Sequence, residues 1–170
     1  MATIYTTGFE GGTFASAGMS LDGPGAAEVQ IPIKHSGNFA AHFTSGVGTA
    51  GDMHLDSLDL SAFGLRCYVY VRLITNPAAE TLNSNLLFLQ DSSYNVNVGW
   101  RHTISAAGVI QLTCWGTPGN RLGTAAPVIS QNTWHLLEMY GNTAGAYGFR
   151  FDGVIQEEGS QAAVFNAIRN

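Results

Sequence analysis

The sequence predicts an all-β protein built as an antiparallel two-sheet sandwich. Apolar and polar residues alternate with a period of two in several short segments, which is typical of half-buried strands. Turn-forming residues separate these segments, as at 22–25 (Asp-Gly-Pro-Gly) and 117–120 (Thr-Pro-Gly-Asn). No long stretch repeats its apolar residues every ~3.6 positions, so we expect little helix. Many short strands between turns favour a sandwich.

The segment from Leu65 to Leu73 has the clearest strand pattern. Its odd positions are apolar and its even positions are Arg and Tyr, so the two sets must project to opposite sides. The same alternation predicts further strands over residues 28–34, 38–44, 109–115, 134–140 and 147–152. Parity turns one set of side chains toward the core: Cys67, Val69, Val71, Leu112, Leu137, Met139, Phe149 and Phe151.

The remaining segments are assigned from composition. Residues 86–89 are apolar at every position and predict a central strand covered on both sides. Residues 78–82 are expected to form one helical turn. Residues 11–27 and 116–127 are rich in Gly, Ala, Thr and Pro and are expected to form long surface loops.

Length and composition predict one domain over residues 1–170. Only 11% of residues are charged, against roughly 25% in ordinary domains, and Lys34 is the single lysine. Either neighbouring chains cover part of the surface, or Ser, Thr, Asn and Gly keep it soluble. The net charge of -5 argues against a nucleic-acid partner, and no apolar run approaches the ~20 residues that span a membrane. The first residues lack the pattern of a signal peptide.

Cys67 and Cys114 are both expected to face inward. Two buried thiols are favoured over a disulfide, which would require the two Cα atoms to lie within about 7 Å.

Four motifs along the chain resemble one family. They are Gly8-Phe9-Glu10-Gly11-Gly12, the segment 36–42 (Ser-Gly-Asn-Phe-Ala-Ala-His), the Trp-His strand 133–138 and the segment 149–154 (Phe-Arg-Phe-Asp-Gly-Val). The sequence resembles the concanavalin A-like lectins and glucanases, the laminin-G-like group in particular. The resemblance implies a jelly roll, in which Trp134 and His135 are structural.

The family's jelly roll closes with a strand after the Asp-Gly turn, beside the first strand. Here residues 162–165 (Ala-Ala-Val-Phe) could supply a short version. Otherwise the sheet edge is open and invites pairing with another chain.

The sequence does not support catalysis or metal binding. Glycosidases need two carboxylates, roughly 5 Å apart in retaining enzymes, and the family's Glu-x-Asp-x-x-Glu motif is missing here. Glu157 and Glu158 are adjacent and point to opposite faces of a strand, and Glu138 has no acidic neighbour in sequence. The five histidines lack zinc spacing, and residues 91–95 suit an ordinary turn better than a calcium site. We therefore expect a non-enzyme with no cofactor.

A polar and aromatic face is the best candidate for binding. Aromatic rings and Arg on one face suit a protein interface or a glycan, and a solvated sheet face is the third alternative. The candidate residues are Arg66, Tyr68, Tyr70, Arg72, Gln111, Trp115, Glu138 and Tyr140.

These observations predict a non-enzymatic structural protein of a virus particle. A bacteriophage capsid-decorating or tail-associated protein fits best, made in the host cytoplasm and located in the virion. Its partners would be other chains of the assembly, or copies of itself. The alternatives are a carbohydrate-binding module and an unusual glycoside-active enzyme.

Overall fold

A computed structural model describes residues 9–13, 15, 20–22, 26–30, 32–37, 40–44, 52–54, 62–70, 84–90, 96–105, 107–116, 120–142 and 144–160. The chain divides into two compact units, Met1–Asp56 and Ser57–Asn170, which are described separately. One domain over the whole chain stays a prediction. Within the described ranges no residue belongs to an α-helix, and no helix is long and apolar enough to cross a membrane.

In the part of the first unit that the structure describes, four short strands form two antiparallel pairs. Strand β1 (Ser20–Asp22) pairs with β4 (Asp52–His54), and β2 (Ala26–Gln30) pairs with β3 (Ala40–Thr44). Strands β2 and β3 confirm part of the predicted strands 28–34 and 38–44. Residues 32–37 form bends instead, which ends the first predicted strand early. Strand β1 and the start of β2 lie where a long loop over 11–27 was predicted.

The described residues of the second unit form nine strands in two antiparallel sheets. In chain order they are β5 (Ala62–Tyr70), β6 (Ser84–Gln90), β7 (Val96–Ile104), β8 (Ile110–Gly116), β9 (Asn120–Leu122), β10 (Val128–Ile129), β11 (Trp134–Asn142), β12 (Ala146–Phe151) and β13 (Val154–Ser160). The first sheet has the order β10-β8-β7-β6, with β9 also paired to β8. The second sheet has the order β13-β12-β11-β5.

The two sheets of this unit share one apolar core. Trp100 of the first sheet meets Phe149 of the second edge-to-face, with ring centroids 5.1 Å apart. The Trp100 indole Nε1 also donates a hydrogen bond to the backbone oxygen of Glu138, at 3.0 Å. The buried core residues are Val98, Trp100, Ile110, Leu112, Cys114, Leu122, Ile129, Leu137, Met139, Tyr147 and Phe149. This packing makes the unit an all-β sandwich, as the sequence predicted.

The strand parity predicted from the sequence agrees with the observed burial. Leu112, Leu137, Met139 and Phe149 are at most 1% exposed. Val69 and Phe151 are half-buried against the core, and Cys67 is half-buried directly across from Leu137. Val71 lies outside the described residues.

The interior strand of the first sheet was not the one predicted. The run 86–89 lies in β6, which within the described residues pairs with β7 alone and is only half-buried. Strand β7 lies between β6 and β8 and carries the core residues Val98 and Trp100. The alternation of Val96, Val98 and Trp100 with glycine and polar residues was present in the sequence, but no strand was predicted there.

Three further strands of the second unit were missed because they are short or follow tight turns. Strands β9 and β10 are short, and β9 lies inside the predicted loop 116–127. Strand β13 follows a two-residue turn in which Asp152 and Gly153 have φ values of 50° and 79°, as a type I′ hairpin requires. The helical turn predicted at 78–82 and the closing strand at 162–165 lie outside the described residues.

Adjacent leucines on β11 provide a test of the parity. Leu137 is 0% exposed in the core, whereas Leu136 is only half-buried on the opposite face. We expect Leu137→Ala to lower the free energy of unfolding by about 2–4 kcal/mol, because it leaves a cavity. Leu136→Ala should cost clearly less. Chemical denaturation of both variants measures the difference, and equal losses would contradict the assignment.

Candidate functional site

The outer face of the second sheet carries an aromatic cluster that we call the Tyr–Trp patch: Tyr68, Tyr70, Trp134 and Leu136. Strands β5 and β11 are neighbours, and their register places Tyr70 opposite Trp134 and Tyr68 opposite Leu136. The Tyr70 and Trp134 rings lie 5.3 Å apart and are tilted by 51°. Tyr68 is 44% exposed, which is high for a large ring. The patch is an aromatic surface on which Tyr68 is exposed and the other three side chains are half-buried.

A charged row lies beside this patch on the same face. Arg66 donates through Nε and Nη2 to Glu138 Oε1, at 3.0 and 2.8 Å. Glu138 also stands directly across from Arg150 on β12. The Arg66 side chain is 67% exposed, so solvent screens this ion pair and its contribution to stability is small. Its effect is to hold the Glu138 carboxylate in place beside the Tyr–Trp patch.

Tyr140 is also on this face, but its neighbours give it a structural role. Its hydroxyl donates to Glu158 Oε1, and this hydrogen bond, with a smaller contribution from burial, raises the pKa of Tyr140. Its ring covers Gly148, where a Cβ would approach the ring to 2.1 Å. Position 148 therefore requires glycine. This is the known arrangement in which an aromatic side chain covers a glycine of the neighbouring strand.

The structure divides the predicted binding residues between two sheets. Arg66, Tyr68, Tyr70, Glu138 and Tyr140 share the outer face of the second sheet, whereas Gln111 and Trp115 lie on β8 of the first. Arg72 lies outside the described residues. The sequence could not show this division, because parity orients side chains within a strand but does not say which strands are neighbours.

Trp115 belongs to a separate cluster, in which it is the one residue that the sequence predicted to bind a partner. Its Nε1 donates to Thr113 Oγ1 at 2.8 Å, and the guanidinium carbon of Arg101 lies over its ring, 4.0 Å from the centroid. Arg121 on β9 stands directly across from Trp115. Neither arginine was among the predicted binding residues, although the alternation in β7 places Arg101 on the outer face.

The buried His135 and the exposed Asp152 form a pair that joins the Trp-His strand to the Asp-Gly turn. His135 Nδ1 lies 2.7 Å from Asp152 Oδ2, and His135 Nε2 accepts a hydrogen bond from the Ser130 backbone N–H at 3.2 Å. Since Nε2 accepts, Nδ1 must carry the proton that is shared with Asp152. The other oxygen of Asp152 accepts from the Leu136 backbone N–H at 2.8 Å. Every polar atom of the pair therefore serves the fold.

This pair resembles part of a hydrolase triad only in residue types. In a triad, the imidazole nitrogen remote from the carboxylate accepts the proton of the nucleophile. Here that atom is Nε2, which already accepts from the Ser130 backbone, and His135 is only 8% exposed. A carboxylate and a backbone N–H satisfy the two ring nitrogens of His135.

Both cysteines are free thiols, as predicted. Burial raises the pKa of Cys67 to about 11. Burial also raises the pKa of Cys114 to about 12, with the Glu157 carboxylate adding to the rise and the Arg121 guanidinium opposing it. Because the thiolate is the nucleophile, neither side chain is activated for catalysis.

The described residues contain no group of three or more His, Cys, Asp or Glu side chains that could hold a metal ion. The turn 91–95, considered for calcium, lies outside them.

The comparisons with known proteins concern the fold. Neither a protein-family model nor a curated protein sequence matches the chain. The solved structure of a conserved carbohydrate esterase from the Shiga toxin-encoding bacteriophage phi24B is similar, with a TM-score of 0.58 and 17% sequence identity. The similarity covers 92% of this chain and 80% of the other.

Alkylation tests the state of the thiols. With pKa values of about 11 and about 12, Cys67 and Cys114 are almost fully protonated near neutral pH. At about pH 8 we expect iodoacetamide to modify them at least about a hundredfold more slowly in the folded protein than in guanidinium chloride. Mass spectrometry over time measures both rates. Rapid loss of either thiol in the folded protein would contradict the burial.

Substitution of Asp152 tests the His135–Asp152 pair. In Asp152→Asn, an NH₂ group replaces one of the two carboxylate oxygens, and an NH₂ group cannot accept the hydrogen bond from His135 Nδ1–H. If the imidazole proton moved to Nε2 instead, it would lie against the Ser130 backbone N–H. We expect a loss of about 1–3 kcal/mol in the free energy of unfolding. Ser130→Ala keeps the backbone N–H of that exposed residue and serves as the control. A loss within experimental error for Asp152→Asn would argue against the pair.

Proposed function

We propose that this chain is a non-enzymatic structural protein of a bacteriophage particle, such as a capsid-decorating or tail-associated protein. It contacts other protein chains, copies of itself included, through the Tyr–Trp patch. The observation that carries the proposal is the exposure of Tyr68 beside the paired rings of Tyr70 and Trp134. Aromatic residues and Arg are enriched at protein interfaces, where Lys is depleted.

The edge strand beside this face supports the same proposal. Strand β13 is the terminal strand of the second sheet, and its Val154 and Ile155 are 62% and 52% exposed. Native edges are commonly protected by lysine, and the chain has a single lysine. A stable contact that covers the patch would bury upwards of roughly 1,000 Å² in total.

The fold supports a bacteriophage origin and the finer family assignment. The similar esterase comes from a phage, and the match covers most of this chain. The link between the Trp-His strand and the Asp-Gly turn through His135 and Asp152 supports the concanavalin A-like jelly roll, because it joins two of the motifs on which that resemblance depends.

The proposal of a non-enzymatic role is based on how the candidate catalytic groups are engaged. His135 accepts from a backbone N–H, Glu138 is paired with Arg66 and Glu158 accepts from Tyr140. The esterase activity of the similar protein is therefore not carried over to this chain.

Sedimentation velocity tests the protein contact. We expect the purified chain to form oligomers larger than its 18.0 kDa monomer as concentration rises. Tyr68→Asp should shift the equilibrium toward monomer by about tenfold or more, because it buries a charge in the contact. Thr124→Asp adds the same charge to an exposed residue outside the patch and should leave association unchanged. A wild-type monomer at all concentrations would contradict self-contact, and equal effects of both variants would contradict the role of the patch.

Hydrolysis assays test the absence of catalysis. We expect no turnover of β-glucans, alginates, sialosides or O-acetylated sugars by the purified protein. The control is the same assay on Glu138→Gln and Asp152→Asn. Turnover by the wild type that either substitution abolishes would show that the chain is an enzyme.

A further inference from the structure

The turn between β12 and β13 contains an Asp-Gly pair, Asp152-Gly153. Glycine has no Cβ, so its own side chain does not hinder attack by its backbone nitrogen on a neighbouring carbonyl group. Gly153 is exposed, and a Cβ added there would meet no atom within 4 Å. The turn is therefore open to water and carries the two groups that form a cyclic imide, the Asp152 carboxyl group and the Gly153 backbone nitrogen.

Imide formation and its reversal need water alone. The Gly153 nitrogen attacks Asp152 Cγ and loses its proton, and one carboxyl oxygen leaves as water. Water then opens the imide at either carbonyl. Opening at the side-chain carbonyl restores aspartate, whereas opening at the backbone carbonyl leaves Gly153 bonded through the side chain, as isoaspartate. No oxidant, reductant or second protein is required.

In the folded chain both oxygens of the Asp152 carboxylate are held on the neighbouring strand. Oδ2 lies 2.7 Å from His135 Nδ1, and Oδ1 accepts from the Leu136 backbone N–H at 2.8 Å. The Asp152 backbone N–H also donates to the Leu136 backbone oxygen, at 2.9 Å. Imide closure turns the carboxyl carbon toward the main chain and expels one of the two oxygens. It therefore cannot proceed while both side-chain hydrogen bonds persist.

The imidazole that holds Asp152 is itself fixed on every side. His135 is 8% exposed, and its ring stacks on Phe151 with centroids 4.9 Å apart. Because Nε2 accepts from the Ser130 backbone N–H, Nδ1 keeps its proton directed at Asp152. The Asp152 side chain is 45% exposed, so burial does not exclude water from it. The hydrogen bonds are what restrain its carboxylate.

We propose that Asp152-Gly153 is a site of spontaneous isomerisation to isoaspartate, which the hydrogen bonds from His135 and Leu136 prevent in the folded chain. Opening of these bonds sets the rate of the reaction. His135 is a positioning residue, because it restrains the reacting carboxyl group and takes no part in the chemistry. The site is separate from the Tyr–Trp patch and does not depend on it.

The product does not fit the turn. Isoaspartate adds a methylene group to the main chain, whereas this two-residue turn depends on φ values of 50° at Asp152 and 79° at Gly153. The reaction also consumes the side-chain carboxylate that accepts from His135. The turn aligns Phe151 of β12 with Val154 of β13. Isomerisation should therefore weaken the pairing of β13, the terminal strand of the second sheet in the described residues.

Ageing of the purified protein near body temperature and neutral pH tests the site. Peptide mapping by mass spectrometry measures isoaspartate at position 152, and heavy-oxygen water labels each hydrolysis of the imide. We expect the reaction to be at least about tenfold slower in the folded protein than in guanidinium chloride, because folding restrains the carboxylate. The other Asp-Gly pair of the sequence, Asp22-Gly23, is measured in the same digest as an internal reference.

Substitutions at position 135 separate the hydrogen bond from general stability. His135→Leu keeps an apolar side chain against Phe151 and removes the donor, so isomerisation at Asp152 should be about tenfold faster or more in the folded variant. His135→Asn places an amide donor near the position of Nδ1 and should restore part of the protection. The rate at Asp22 should not respond to either substitution.

Met139→Ala is the control for loss of stability, since it removes a core side chain that is 1% exposed and leaves the pair intact. It should change the rate at Asp152 by less than about twofold. Thermal unfolding confirms that each variant is folded at the temperature of the experiment.

The inference is overturned if Asp152 does not isomerise in denaturant, or if it isomerises as fast in the folded wild type as in denaturant. These two comparisons use the wild type alone and decide the outcome even where a variant fails to fold. It is equally overturned if His135→Leu leaves the rate unchanged, if His135→Asn protects no better than His135→Leu, or if Met139→Ala accelerates the reaction as much.

Discussion

The indole of Trp100 connects the two sheets, and both outer faces depend on that contact. Its ring packs against Phe149 and its N–H donates to the backbone of Glu138, so one side chain ties β7 of the first sheet to β11 and β12 of the second. Side chains in a strand alternate strictly, and a shift of one residue would exchange the inner and outer sets. The core around Trp100 therefore determines that Tyr68 and Trp115 face outward.

The two faces selected in this way have different chemistry. One combines exposed aromatic rings with a paired Arg66 and Glu138, so its charges are largely balanced and its rings can pack against another protein. The other combines a fixed arginine, a stacked Arg101–Trp115 pair and neutral polar groups.

The His135–Asp152 pair shows why residue types alone do not define a catalytic site. A buried histidine beside an aspartate is part of many hydrolases, and a structurally similar protein is an esterase. Here the decisive atom is Nε2, which is occupied by a backbone N–H, and the aspartate also bonds the backbone of Leu136. The pair closes the hairpin turn onto the neighbouring strand, and this role explains why the Trp-His and Asp-Gly motifs occur together in one chain.

Alternation was enough to predict an antiparallel sandwich, as in residues 65–70, 110–116 and 134–140. It also predicted the inward side chains Leu112, Leu137 and Phe149, because side-chain direction in a strand follows from local geometry. Free cysteines and the exposed Tyr68 followed from the same parity. Strand neighbours were decided only in the tertiary structure: Gln111 and Trp115 were separated from Arg66 and Tyr68, and Arg101 and Arg121 were brought to Trp115. Strand pairing depends on contacts between residues far apart in the chain, and the short-range periodicity of the sequence does not predict those contacts.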